Sequence, residues 1–209
     1  LIVRPEINKV EDLRGKKIGV SFGGMTFALV HDLFKLHGVD PEKGVEYVNI
    51  PGSAPKVAAL EKGIIAAALI APPTEFKAIQ AGFKRLVFLG DVMPDLPFTG
   101  VIATSRYTKE NPKVTEKMVR AITRAVYRTH DDSKAAIEVM QSYLKMTADE
   151  ARETYDLVRK SFSPVLTEAS VKKVAEVVSK STGVKPTKAP GEYTDLSFLN
   201  KVLSELGKK

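Results

Sequence analysis

A chain of 209 residues is long enough for one large domain or two small ones, and 44% hydrophobic residues exclude a disordered tail. The absence of cysteine excludes disulfides and thiolate metal sites, and is compatible with an oxidising compartment without proving one. The net charge of +7 comes from 32 basic and 25 acidic residues interspersed along the chain, with no like-charge block and no aromatic–basic interleaving; this reads as a solvated surface, not a nucleic-acid footprint.

His31, His37 and His130 show no metal-ligand spacing. No apolar run reaches the roughly 18 residues of a membrane-spanning helix, and no secretory leader is legible. The opening Leu1-Ile2-Val3-Arg4 reads as the interior of a longer protein.

In chain order, Leu1 to Val3 reads as a short strand ended by Arg4-Pro5, and Lys9 to Gly15 as a helical turn. Ile18 to Ser21 is the next strand. A helix follows over about Thr26 to His37, with Phe27, Val30, Leu33 and Phe34 on one face and Gly38 in the left-handed position that ends it. Val45 to Ile50 is a strand broken by Pro51-Gly52; Ser53 is placed as the N-cap of a helix over Ala54 to Lys62. The run Ile64 to Ile70 suits a strand buried on both faces of a parallel sheet. Pro72-Pro73 then opens a helix over Thr74 to Ala81, and Arg85 to Leu89 is a further strand. Strands alternating with helices predict a mostly parallel sheet with helices on both faces.

After the proline-rich connector Val92 to Gly100, Val101 to Thr104 reads as one more strand. Beyond Lys109 only helix patterns occur, over about Pro112 to Thr129, Ser133 to Leu144, Ala148 to Phe162, Glu168 to Ser181 and Leu196 to Leu206. Thr147 and Glu150 form a capping box at the third. Such helices must bury their apolar stripes against something, and one short strand is too little sheet. Part of that second lobe is therefore expected to lie outside this chain.

The turn Ser21-Phe22-Gly23-Gly24 between the second strand and the first long helix invites two readings. It can leave backbone N–H donors at a helix start for an anion or polar ligand end. Equally, it can need glycine for its backbone geometry and bind nothing. It is neither a dinucleotide fingerprint nor a phosphate-binding loop. In open α/β sheets ligands sit beyond the carboxyl ends of the strands, here Ser21 to Gly24, Pro51 to Ser53, Ala71 to Pro73 and Gly90-Asp91.

The segments LIVRPEI, EDLRGKKIGVSFGG, GVDPEKGVEYVNI, AALEKGIIAAALIAPP and FTGVIATSRYTKENPKV, in this order, resemble periplasmic solute-binding proteins of the nitrate, sulfonate, taurine and thiamine-pyrimidine ABC importers. The resemblance spans essentially the whole chain. It implies an α/β fold of the type II periplasmic-binding-protein clamshell, with one complete βαβ lobe and a helix-rich partial second lobe. Residues 1–14 would end lobe one and cross over, 15–96 would form lobe two, and 97–209 would return and coat lobe one. Where the family commonly has an acidic residue this chain has Ile65, and only Ser21 and Thr26 carry hydroxyls at the first turn.

The function implied is non-covalent capture of a small polar or anionic organic ligand, delivered to a membrane permease, in the periplasm or anchored outside the cytoplasmic membrane. No cofactor and no nucleic acid are expected; a swapped or oligomeric assembly is compatible with the incomplete lobe. Ligand contacts are expected from Ser21, Gly23, Gly24, Met25 and Thr26, from Ala71, Pro72 and Phe76, and from Asp91 and Thr99. Thr26 either bonds ligand or caps its helix; Phe76 is a wall or core; Asp91 is a contact or a turn residue. Two rival classes are an enzyme of cofactor biosynthesis, with Glu75 as the acid to test unless it is simply a surface residue of a helix turn, and the effector-sensing domain of a transcription regulator.

Overall fold

Short strands in the first half of the chain build one five-stranded sheet in the order β3-β2-β4-β1-β5. The strands are β1 (Ile2–Val3), β2 (Lys17–Val20), β3 (Glu46–Asn49), β4 (Ala67–Ala68) and β5 (Lys84–Arg85). The computed structural model describes residues 1–22, 25–94 and 96–208. The chain divides into two units, Leu1–Pro94 with Glu176–Lys185, and Asp95–Ala175 with Pro186–Lys209.

In the first unit β2 runs parallel to both β3 and β4, with Ile18 opposite Tyr47 on one side and Ala67 on the other. β1 lies antiparallel between β4 and β5. β5 therefore runs in the same sense as β2, β3 and β4, and β1 alone is reversed. Helices α1 (Met25–Leu36), α2 (Ser53–Glu61) and α3 (Thr74–Gln80) make the crossovers. Ile18, Val20, Val3 and Ala67 pack with Val30, Leu33 and Phe34 of α1 on one face. Ile2 and Ala68 pack with Val57 and Leu60 of α2 and Ala78 of α3 on the other. Both faces are thus covered, as a mostly parallel sheet requires. Gly38, at φ +65°, ends α1 in the left-handed region expected for it.

Gly19 is the close-approach point of the sheet. A Cβ there would lie 2.6 Å from Ile65 Cδ1 and 3.4 Å from Ala68 Cβ. The departure at Ile65 is explained locally: the side chain is fully buried and fills the space over Gly19.

Several boundaries differ from expectation. The apolar run Ile64 to Ile70 pairs as a strand only over Ala67–Ala68. Its flanks bond individually instead, with Ala66 N donating to Lys17 O at 2.8 Å. The strand expected over Arg85 to Leu89 stops at Arg85, because its partner β1 is two residues long; a short helix α4 (Leu89–Val92) follows. Ser53 is the first residue of α2, not a side-chain cap, and Gly52 precedes it at φ +85°.

The second unit is helical. It holds α5 (Ser105–Glu110), α6 (Pro112–Asp131), α7 (Ser133–Leu144), α8 (Ala148–Val158), the start of α9 (Glu168–Thr182) and α10 (Ser197–Glu205). The capping box at α8 forms as expected: Thr147 Oγ1 accepts from Glu150 N, and Thr147 N donates to the Glu150 carboxylate at 2.9 Å. The α8 pattern breaks into a 3-10 turn at Arg159–Ser161, short of Phe162. The strand expected over Val101 to Thr104 is irregular and exposed. The second unit holds no strand among the described residues, so it offers no ladder partner of its own. Thr104 instead caps α5, accepting from Tyr107 N at 3.1 Å. No helix among the described residues is long and apolar enough to cross a membrane.

Candidate functional site

Three parallel strands deliver three chain turns to one edge of the sheet. β2 ends at Val20 and leads through Ser21-Phe22 towards α1; β3 ends at Asn49 and leads into α2; β4 ends at Ala68 and leads through Ala71-Pro72-Pro73 into α3. Because β2 lies between β3 and β4, Ser21 neighbours the residues that follow both strands. Phe22 N donates to the Asn49 side chain at 3.0 Å, and Ser21 Oγ donates to Ile50 O at 3.5 Å. The twelve-residue α1 starts at this edge. Its first N–H groups have no acceptor within the helix and carry the positive end of its dipole.

The structure brings Ser21, Met25, Thr26, Ala71 and Pro72 to this edge. Gly23 and Gly24 lie outside the described residues. Ser21, Met25, Thr26 and Pro72 are partly exposed and Ala71 is exposed, so a solute can reach them. Phe76 is 4% exposed and faces the interior. Asp91 is exposed on α4. Thr99 is exposed in the second unit. The Pro72–Pro73 bond is cis.

Lys56, a residue that sequence reading did not single out, also reaches this edge. Its Nζ donates to Ser21 Oγ and to Leu69 O, each at 3.3 Å. The ammonium therefore spans the ends of β2 and β4 from the first turn of α2. It is 3% exposed, and burial pulls its pKa below the usual lysine range. Lys56 lies one turn before Leu60 on the buried face of α2.

Glu75 is not the surface residue that a helix start suggests. It is 3% exposed and accepts a hydrogen bond from Arg85 Nε in a partly buried ion pair. Its carboxylate is thus committed to β5. His31 pairs with Glu42 at 2.7 Å and His37 with Glu11 at 3.6 Å. Among the described residues no group of His, Asp and Glu could hold a metal ion.

The sequence profile of the NMT1-like family matches residues 5–144, more than half of the chain. No curated protein matches the chain in sequence. Solved structures match its fold. One named for the periplasmic sulfonate-binding protein SsuA of Methylobacillus flagellatus KT aligns at a TM-score of 0.76 and 20% identity, over 99% of this chain and 65% of that one. The ligand-binding component of an ABC-type import system from Staphylococcus aureus, solved with zinc bound, aligns at a TM-score of 0.81 and 15% identity, over 96% and 69%. The desulfurization enzyme DszB, in complex with biphenyl-2-sulfinic acid, aligns at 0.68 and 18%, over 98% and 75%. At these identities the likeness is one of fold, the periplasmic-binding-protein-like α/β fold that the family resemblance implies. The chain spans about two thirds of the length of the SsuA structure. The match over residues 5–144 makes the chain a member of the NMT1-like family.

Proposed function

We propose that this chain is the ligand-capturing part of a solute-binding protein of an ABC importer, acting outside the cytoplasmic membrane. The observation that carries the reading is the convergence of Ser21-Phe22 and Leu69 to Pro72 at one edge of adjacent parallel strands. Backbone donors of Met25 and Thr26 hold the polar or anionic end of a small organic solute, and Ala71 and Pro72 flank its apolar part. Residues 15–96 serve as lobe two of a clamshell, and 97–209 return to coat lobe one. Closure on the ligand presents the protein to a membrane permease.

The neighbours support this reading, since binding proteins of import systems share the fold. The same fold serves a desulfurization enzyme, so the site decides between capture and catalysis. No residue of these 209 supplies a thiolate, and Glu75 is occupied by Arg85. Capture needs only backbone donors and apolar walls of the kind proposed here.

A thermal-shift screen of the full-length protein against sulfonates, carboxylates, nitrate and neutral pyrimidines tests the proposal. A ligand at about 100 times its Kd stabilises the native state by about 2.7 kcal/mol, a readily measured shift. One responding class, with affinity weakened in Thr26→Ala by calorimetry, is the expected result. Turnover of a bound solute would instead assign an enzyme.

A further inference from the structure

We infer that Lys56 is the counter-charge for a ligand oxyanion, so that the solute captured at this edge carries a sulfonate, carboxylate or phosphate head group. The inference rests on the solute-binding reading above and specifies its ligand class.

Lys56 breaks two local preferences at once. It lies in the first turn of α2, where the helix dipole favours acidic side chains. It is also buried, although a lysine stem normally carries its ammonium out to water. Its two acceptors, Ser21 Oγ and Leu69 O, are neutral and at the long end of hydrogen-bond distances. An ammonium has three donors, and among the described residues these two acceptors leave one unspent. No carboxylate among the described residues forms an ion pair with it, whereas the buried Glu75 has Arg85. The fold therefore pairs a buried charge where the charge is structural, and leaves Lys56 without an opposite one.

An uncompensated buried cation is costly, and such costs are retained at functional sites. Lys56 bonds to Ser21, at the end of the strand that leads into α1, so its field acts where an anionic head group would meet the α1 donors. There a charge-assisted hydrogen bond from the ammonium to an oxyanion supplies the missing negative charge and takes up the third donor. Sequence alone gives this site only neutral donors; the structure adds a full positive charge.

The test compares wild type with Lys56→Met and Lys56→Arg in the full-length protein. The calorimetric probes are butanesulfonate, butanoate and butyl phosphate, set against neutral butanamide and cytosine. The expected result is an anionic probe bound by wild type, weakened at least tenfold in Lys56→Met and largely retained in Lys56→Arg. Equal anion affinity in Lys56→Met overturns the inference while leaving solute binding intact, and so does binding of neutral probes alone. Silence from every probe overturns the solute-binding reading and the inference with it. A second readout needs no ligand. If Lys56 serves the ligand, ligand-free Lys56→Met melts at or above the wild-type temperature, because an apolar side chain replaces a buried charge. A marked fall would make Lys56 a structural tie between strand ends and overturn the inference.

Discussion

The two units use the same amphipathic alphabet to different effect. In the first, both faces of the sheet are covered, and Ile2, Val3, Leu13, Ile18, Leu33 and Phe34 are fully buried. In the second, α6 buries only Thr123 among its twenty residues. Ile102 is 95% exposed there and Tyr143 82% exposed. Polar contacts are prominent instead: Glu116 of α6 binds Lys201 of α10 at 2.6 Å and Arg120 at 2.8 Å, and Arg120 also pairs with Glu205. A helical period states what a helix needs to bury; it does not state that the partner surface is at hand. The proposed ligand edge falls on the unit whose needs are met, at the ends of β2 and β4 that Lys56 contacts through Ser21 and Leu69.

The largest expected effect is in the packed core. Phe34→Ala should cost about 3–5 kcal/mol in urea unfolding, and hydrogen exchange should rise in β2 and α1 while α6 to α8 are unchanged. Equal loss of protection in α6 to α8 would show that the units do not behave separately. Gly19→Val should cost about 1–3 kcal/mol by overpacking against Ile65. A Gly19→Val, Ile65→Ala double variant should recover part of that loss, and strict additivity of the two would count against the close contact.

Smaller effects belong to the second unit. Thr147→Ala removes the cap of α8 and should cost about 1 kcal/mol, read as faster exchange of α8 amides. The α6–α10 contact should also depend on acid. Hydrogen bonds from Lys201 and then Arg120 hold the Glu116 carboxyl below the usual glutamate range. A lowered pKa gives stabilisation that is complete above the ordinary value and is lost as pH falls through the lowered one. Exchange of α6 and α10 amides should thus accelerate in acid, and Glu116→Gln should flatten that dependence. An unchanged acid profile in the variant would remove these ion pairs from the account of how the second unit coheres.

Much of this was readable before any fold was known. α7 occupies the residues its period marks, and the Thr147–Glu150 box sits where the motif places it. What escaped depended on distant partners. β1 inserts in reverse between β4 and β5, a pairing with sequence separations far beyond any local pattern. Val101 and Ile102 have strand propensity but no partner strand in their own unit among the described residues, and propensity alone does not make a ladder. The position of Ser21, Met25, Thr26, Ala71 and Pro72 at the strand ends followed from the alternation of strands and helices. Lys56 did not, because a lysine among alanines looks like a surface residue until Ser21 and Leu69 are seen to receive it.

The central claim is that the edge formed by β2 and β4 captures the solute. Its most direct test is a hydrogen-exchange footprint of the full-length protein with and without the probe giving the largest thermal shift. Protection of Met25 to Ala28 and of Leu69 to Glu75, with Asp40 to Val45 at the opposite end of the sheet unchanged, is the result expected. Protection confined to other segments, with these two strand ends unaffected, would contradict it.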